Sequence, residues 1–163
     1  MGVTFLAGYS YHEQNLRISE GFQAIPASGP FSGLNSTYQT EWKGPWLGFE
    51  LEGWVKKYQG FVRLEYHWAD YYAEADWNLR DDFAHPVSFT HEADARGLVF
   101  GAGGNYQVHP DWLVGLNFDL QNWETGLGLD RTYFSDGSTI DTQLNVSKWR
   151  SWAANLAATY RFW

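Results

Sequence analysis

The acid–base candidates of this 163-residue chain crowd into one short stretch. Glu74 and Asp76 stand two residues apart in Glu74-Ala75-Asp76-Trp77-Asn78-Leu79-Arg80-Asp81, and His85 and His91 follow closely. A carboxylate beside an imidazole can orient and charge a general base that takes a proton from water. The same residue types can hold a metal ion or stand as solvated loop groups. For His85 the plain loop residue comes first, ahead of a catalytic base and a metal ligand; Glu74 and Asp76 likewise read first as solvated acids. A second ionisable set, Glu50, Glu52, Arg63, Glu65, Asp119 and Arg161, is spread along the chain. Mixed signs among Gly, Asn and Thr suit a narrow polar interior in which carboxylates and guanidiniums pair. There is no cysteine, which removes thiol chemistry and disulfides. No metal and no cofactor are expected.

The elements that must position these groups read as long strands. In segment 152–162, Trp152, Ala154, Leu156, Ala158, Tyr160 and Phe162 fall on one face, against Ser151, Ala153, Asn155, Ala157, Thr159 and Arg161 on the other. Period 2 is the signature of a strand with two unlike faces. The same alternation runs through segments 3–11, 45–55, 62–68, 98–108 and 112–120. Val62, Leu64, Tyr66 and Trp68, for example, oppose Arg63, Glu65 and His67. Each segment approaches the roughly 9–11 residues that let a tilted strand cross hydrocarbon. Its apolar face would meet lipid and its polar face the lumen.

Composition supports that inversion of the usual burial rule. Ten Trp, ten Tyr and eleven Phe exceed what a small soluble core needs, and Trp and Tyr favour membrane–water interfaces. A net charge of −8 offers no basic patch for nucleic acid. No run of eighteen apolar residues suggests a helical span, and Met1-Gly2 leads straight into a strand with no signal peptide in view.

The connections alternate in length. Segments 55–60 and 107–111 are short, whereas 18–36, 78–90 and 130–139 are long and polar. Short periplasmic turns and long extracellular loops are the outer-membrane arrangement. A soluble lipocalin-like barrel would show the same parity with the aromatic faces turned inward. The charged small-residue face, the aromatic girdle and the loop asymmetry favour the membrane barrel. The expected fold is therefore all-β, an antiparallel transmembrane β-barrel in one domain, residues 1–163. Single-chain bacterial barrels start at eight strands, so six imply membership of an 8–10-stranded barrel lacking its N-terminal strands, or edges paired with a second copy. The Phe162-Trp163 end departs slightly from a barrel that stops on Phe.

Three stretches resemble the omptin family, ten-stranded outer-membrane proteases of Gram-negative bacteria: Leu6-Ala7-Gly8-Tyr9, Gly44-Pro45-Trp46-Leu47-Gly48-Phe49 and Glu74 to Asp81. The last is similar to the family's D-x-D-x-H-Y-L-R-D stretch with one residue deleted. The resemblance implies an endopeptidase in which an Asp–His pair faces an Asp pair across a water. It places Asp76 at the Asp of the Asp–His pair and Glu74 at an acidic position favouring basic substrate side chains. Asn78 stands at the expected His, and an amide accepts no proton near neutral pH. Strict alternation from Trp68 would also send Glu74 and Asp76 outward, so a cleft role requires a bulge, for which Tyr71-Tyr72 is a place.

The expectation is an outer-membrane barrel of omptin type with a degenerate site, a non-catalytic surface protein acting through its loops. The alternatives are an omptin-like endopeptidase cutting near basic residues and a small channel. The expected partners are outer-membrane lipid, lipopolysaccharide with only Lys43 suggestive, and a peptide or protein substrate if the site is active.

Overall fold

The computed structural model describes residues 1–162; Trp163 lies outside the described residues. The described residues form ten strands: β1 (Gly2–Ser19), β2 (Phe22–Gln23), β3 (Gly29–Pro30), β4 (Asn35–Val55), β5 (Tyr58–Asp76), β6 (Phe89–His109), β7 (Trp112–Thr125), β8 (Gly128–Tyr133), β9 (Thr139–Leu144) and β10 (Lys148–Tyr160). One antiparallel sheet runs β1-β4-β5-β6-β7-β10, a meander joined by consecutive hairpins. The small β2–β3 hairpin sits inside the long 18–36 connection.

The 130–139 segment is not the open loop that its polarity suggests. β7 breaks at Gly126 and Leu127 and resumes as β8, which continues against β6 at Phe89–Glu92. β8 then turns into β9, and β9 resumes as β10 after a break at 145–147. The breaks are stitched across: the Thr125 amide donates to the Ser147 carbonyl at 3.0 Å and the Ser147 amide to Thr125 Oγ1 at 2.8 Å. Six long antiparallel passes result, as the sequence periodicity requires.

Every pass is longer than its apolar run. On the convex face of β5, Val62, Leu64, Tyr66 and Trp68 give way to Asp70, Tyr72, Glu74 and Asp76. The change falls above Tyr11 on β1 and between Lys43 and Pro45 on β4. It falls at Arg96/Leu98 on β6, Leu120/Asn122 on β7 and Arg150/Trp152 on β10. From β5 to β7 this border drops by one residue pair per strand. A membrane plane crosses tilted strands obliquely, so that descent is the tilt expressed in side chains. A second girdle lies at the short turns, where Tyr58 packs on Tyr106 (4.6 Å between centroids) and Trp112 on Tyr160 (5.0 Å). Phe162, beyond the end of β10, joins it against Tyr160.

Pro45 interrupts the β4–β5 ladder, in which Lys43 pairs Asp70 and Trp46 pairs His67 with no registered pair between them. Proline has no N–H to donate. The chains approach closely there, and a Cβ on Gly44 would run into the Trp68 carbonyl oxygen. The sheet is curled so far that His12 on β1 meets the Trp123 ring on β7 across the concave side, with centroids 4.7 Å apart.

Candidate functional site

The concave face is built from alternating positions, and one cross-strand row sets its character. Gly8, Trp46, His67, Gly97, Trp123 and Trp149 are successive partners on β1, β4, β5, β6, β7 and β10. Large rings lie over glycines of the neighbouring strand. A Cβ on Gly8 would stand 2.8 Å from the Trp46 ring and one on Gly97 2.6 Å from the Trp123 ring. Trp46 stacks on His67 at 5.5 Å and Trp123 on Trp149 at 5.9 Å. Above this row Trp42 packs on Tyr71 at 4.5 Å. Trp42 and Trp123 are 1% and 0% exposed, so the layer is a packed core inside the curl. Its tightness leaves the Trp42 indole N–H, the His12 Nε2 and the Thr40 hydroxyl without hydrogen-bond partners among the described residues, a cost that the packing must offset.

Below the rings lies a charged chain. Ser10 Oγ and His67 Nδ1 are 3.0 Å apart, and His67 Nε2 and Glu65 Oε2 3.1 Å. Arg63 Nε stands 3.1 Å from Glu65, and its guanidinium 3.3 Å from Asp119. Three expected lumenal residues, Arg63, Glu65 and Asp119, are therefore joined, with His67 and Ser10 added. Glu50 and Glu52 share the concave face but form no ion pair among the described residues. Arg161 is not in this network: β10 ends at Tyr160, and the Arg161 amide donates to the Asp111 carbonyl at the β6–β7 turn.

The residues of the acid–base stretch stand elsewhere. The β5–β6 register is unbroken from Tyr58 to Ala75, so there is no bulge at Tyr71-Tyr72. Glu74 and Asp76 keep the convex parity of Trp68. Tyr72 donates to Glu74 at 3.3 Å, and burial, followed by the Glu74 charge, raises the Tyr72 hydroxyl above its ordinary value. Asp76 Oδ1 meets His85 Nδ1 at 2.5 Å. Asn78 clamps two loops: its Oδ1 accepts from the Asn35 amide (2.8 Å) and the Ser36 hydroxyl (3.2 Å), and its Nδ2 donates to the Gly33 carbonyl (2.7 Å). His91 lies on the concave side, 3.0 Å from the Tyr38 hydroxyl and 3.6 Å from Asp130. Among the described residues no His, Asp and Glu are grouped so as to hold a metal ion.

Above the membrane border these parts form an extension that ties the loops to the strand ends. Phe83 bridges to Phe134, binding the 77–88 loop to the tip of the β8–β9 hairpin. Ser135 donates its amide to the Asp82 carbonyl at 3.0 Å. Arg80 pairs with Asp82 at 2.7 Å and lies over the Phe83 ring; Arg131 pairs with Asp141 at 2.7 Å. The guanidiniums hold both carboxyls below their ordinary range. The convex face of the extension carries Glu13, Glu41, Asp70, Glu74, Glu92 and Asp94. Sequence reading missed Trp42, Trp46, Trp123 and Trp149 as the lumenal layer. Their signal was parity: continued past Pro45, Leu120 and Trp152, the alternation puts each of them inward.

A family model described as Pom, Protochlamydia outer membrane protein, matches residues 1–162. No curated protein matches the chain.

Proposed function

The chain belongs to the Protochlamydia outer membrane protein family and sits in the bacterial outer membrane, and from that premise we propose that it is a non-catalytic surface barrel acting through its extracellular extension. The observation that carries this reading is the length of the strands beyond the lipid border and the contacts that tie their loops together. β5 runs on from Trp68 to Asp76, β8 and β9 prolong the sheet, and Asn78 and Phe83–Phe134 tie the loops to it. Loops held on a scaffold suit recognition. The acidic convex face of that extension favours a partner with a basic surface, and such an association weakens as salt screens it. The degenerate omptin-type motif fits the same reading, since Asn78 is engaged in loop clamping.

The test replaces the 77–88 loop by a short Gly-Ser turn in cells displaying the protein. Attachment to eukaryotic cell monolayers is expected to fall at unchanged surface amount. Unchanged attachment defeats the surface role, and stepwise conductance of the purified protein in planar bilayers moves the reading to a channel.

A second reading, an omptin-like endopeptidase, is favoured by one observation, the 2.5 Å Asp76–His85 contact. It supplies an imidazole beside the carboxylate although Asn78 holds the expected His position. A fluorogenic Arg-Arg peptide decides it: cleavage that disappears in Asp76→Ala and His85→Gln supports the peptidase, and cleavage no greater than theirs removes it.

A further inference from the structure

The convex face is not uniformly acidic at the membrane border. Across β6, β7 and β10 the border residues are Arg96, Glu124, Lys148 and Arg150. Arg96 and Lys148 share the one carboxylate of Glu124, Arg96 through its Nε at 3.0 Å and Lys148 at 3.6 Å. Arg150 meets no carboxylate among the described residues. Its Nε donates to Asn122 Oδ1 at 2.9 Å, which fixes the guanidinium at the border. Three cations and one carboxylate thus stand on a chain of net charge −8.

Directly below them is a groove of ≈ 490 Å³, lined by Leu98, Phe100, Leu120 and Trp152, with Asn122 and Arg150 at its polar end. Leu98, Phe100 and Leu120 belong to the lipid-facing band, and Trp152 is 71% exposed. An apolar channel below the interface that ends on a guanidinium matches a lipid: an acyl chain in the groove and an anionic head on the cation. Guanidiniums bind phosphate with directed, charge-assisted hydrogen bonds. The β1, β4 and β5 borders carry Glu13, Glu41 and Asp70 instead, with Lys43 the lone cation, so the charge match is confined to this side.

We propose that the β6–β7–β10 groove is a binding site for a lipid of the outer leaflet whose phosphorylated head carries net negative charge, its acyl chain along Leu98, Phe100, Leu120 and Trp152 and its phosphate on Arg150, with Lys148 and Arg96 beside it. The site requires only the outer-membrane location and is independent of how the extracellular extension is used.

The probes are dimyristoyl phosphatidylglycerol, phosphatidylcholine with the same chains, and inorganic phosphate. Each is titrated onto the refolded full chain in a neutral detergent and read as retained lipid by native mass spectrometry. Wild-type protein is expected to retain phosphatidylglycerol over phosphatidylcholine by at least about fivefold, the worth of one basic residue at a lipid surface. Arg150→Gln removes that preference, Arg150→Lys keeps most of it, and Lys57→Gln at the opposite turn leaves it unchanged. Trp152→Ala lowers retention of both lipids together. Equal retention of the two lipids by wild type, or an unchanged preference in Arg150→Gln, overturns the site. Displacement of the lipid by millimolar inorganic phosphate overturns it as a lipid site and leaves a simple anion site.

Discussion

At the residue scale, two histidines from the acid–base stretch meet different fates because of where the backbone places them. His85 stands in the loop against Asp76, at the surface. His91 is carried inward by β6, between the Tyr38 and Phe89 rings. Burial lowers its imidazole from the ordinary value near 6.5, and Asp130 opposes that only in part. The unfolded chain therefore binds a proton on His91 at a pH where the folded chain does not. Stability rises with pH up to about 6.5 and is lost as pH falls from there toward the folded value. The urea midpoint of the refolded protein is expected to drop between pH 7 and 5, with a shallower drop in His91→Gln. Identical slopes for the two proteins would show that His91 titrates alike in both states. Asn78 makes the same point without titration: its amide is a structural clamp because donor and acceptor together reach Gly33, Asn35 and Ser36, tying the 77–88 loop to the start of β4.

At the element scale, β4 and β5 form the spine of the sheet, and their weakest point is Pro45. The missing N–H opens the ladder beside it, and the strands stay together because Gly44 lets the backbones close onto each other. Gly44→Val is expected to separate β4 from β5 at the Trp68 carbonyl, since overpacking against rigid backbone costs about 1–3 kcal/mol or more. Loss of the compact, heat-modifiable band on electrophoresis would report this, and a variant that retains the band refutes the close-approach argument. The six alternating segments were readable one by one, because period 2 with unlike faces has no helical competitor. Their upper ends were not. Beyond the lipid border both faces become polar or mixed, so alternation stops being a signal although the hydrogen-bond ladder continues. β5 consequently extends to Asp76, well beyond the alternating segment 62–68, and β4 starts at Asn35, inside the connection 18–36.

At the scale of the whole molecule, the sheet inverts the soluble pattern, with lipid-facing residues outside and a tryptophan–histidine layer inside. The described sheet has two free edges: β1 pairs only with β4, and β10 only with β7. In hydrocarbon an unpaired backbone group costs several kcal/mol, so we predict that both edges are paired in the membrane. Amide exchange of the protein in lipid should therefore find β1 and β10 protected as strongly as β5. Rapid exchange confined to those two strands would mean that the edges stay open to water. The curl that brings His12 to Trp123 shows that the inward faces converge without further elements, since concave packing is satisfied by the rings over Gly8 and Gly97.

The sequence by itself determined the fold class, the antiparallel order and the apolar side of each strand, because all three follow from short-range periodicity and connection length. Periodicity also put Arg63, Glu65 and Asp119 on the polar faces of their strands. Tertiary structure alone decided which inward groups touch. Arg63 reaches Asp119 and Ser10 reaches His67 across strands far apart in the chain, and such contacts depend on register and curl. It also decided the placement of the acid–base stretch. An uninterrupted β5 ladder keeps Glu74 and Asp76 on the convex face, and only the fold of the 77–88 loop brings His85 back to Asp76. Local pattern fixes the face of a residue; the partners on that face are set by strands that meet only once the sheet has curled.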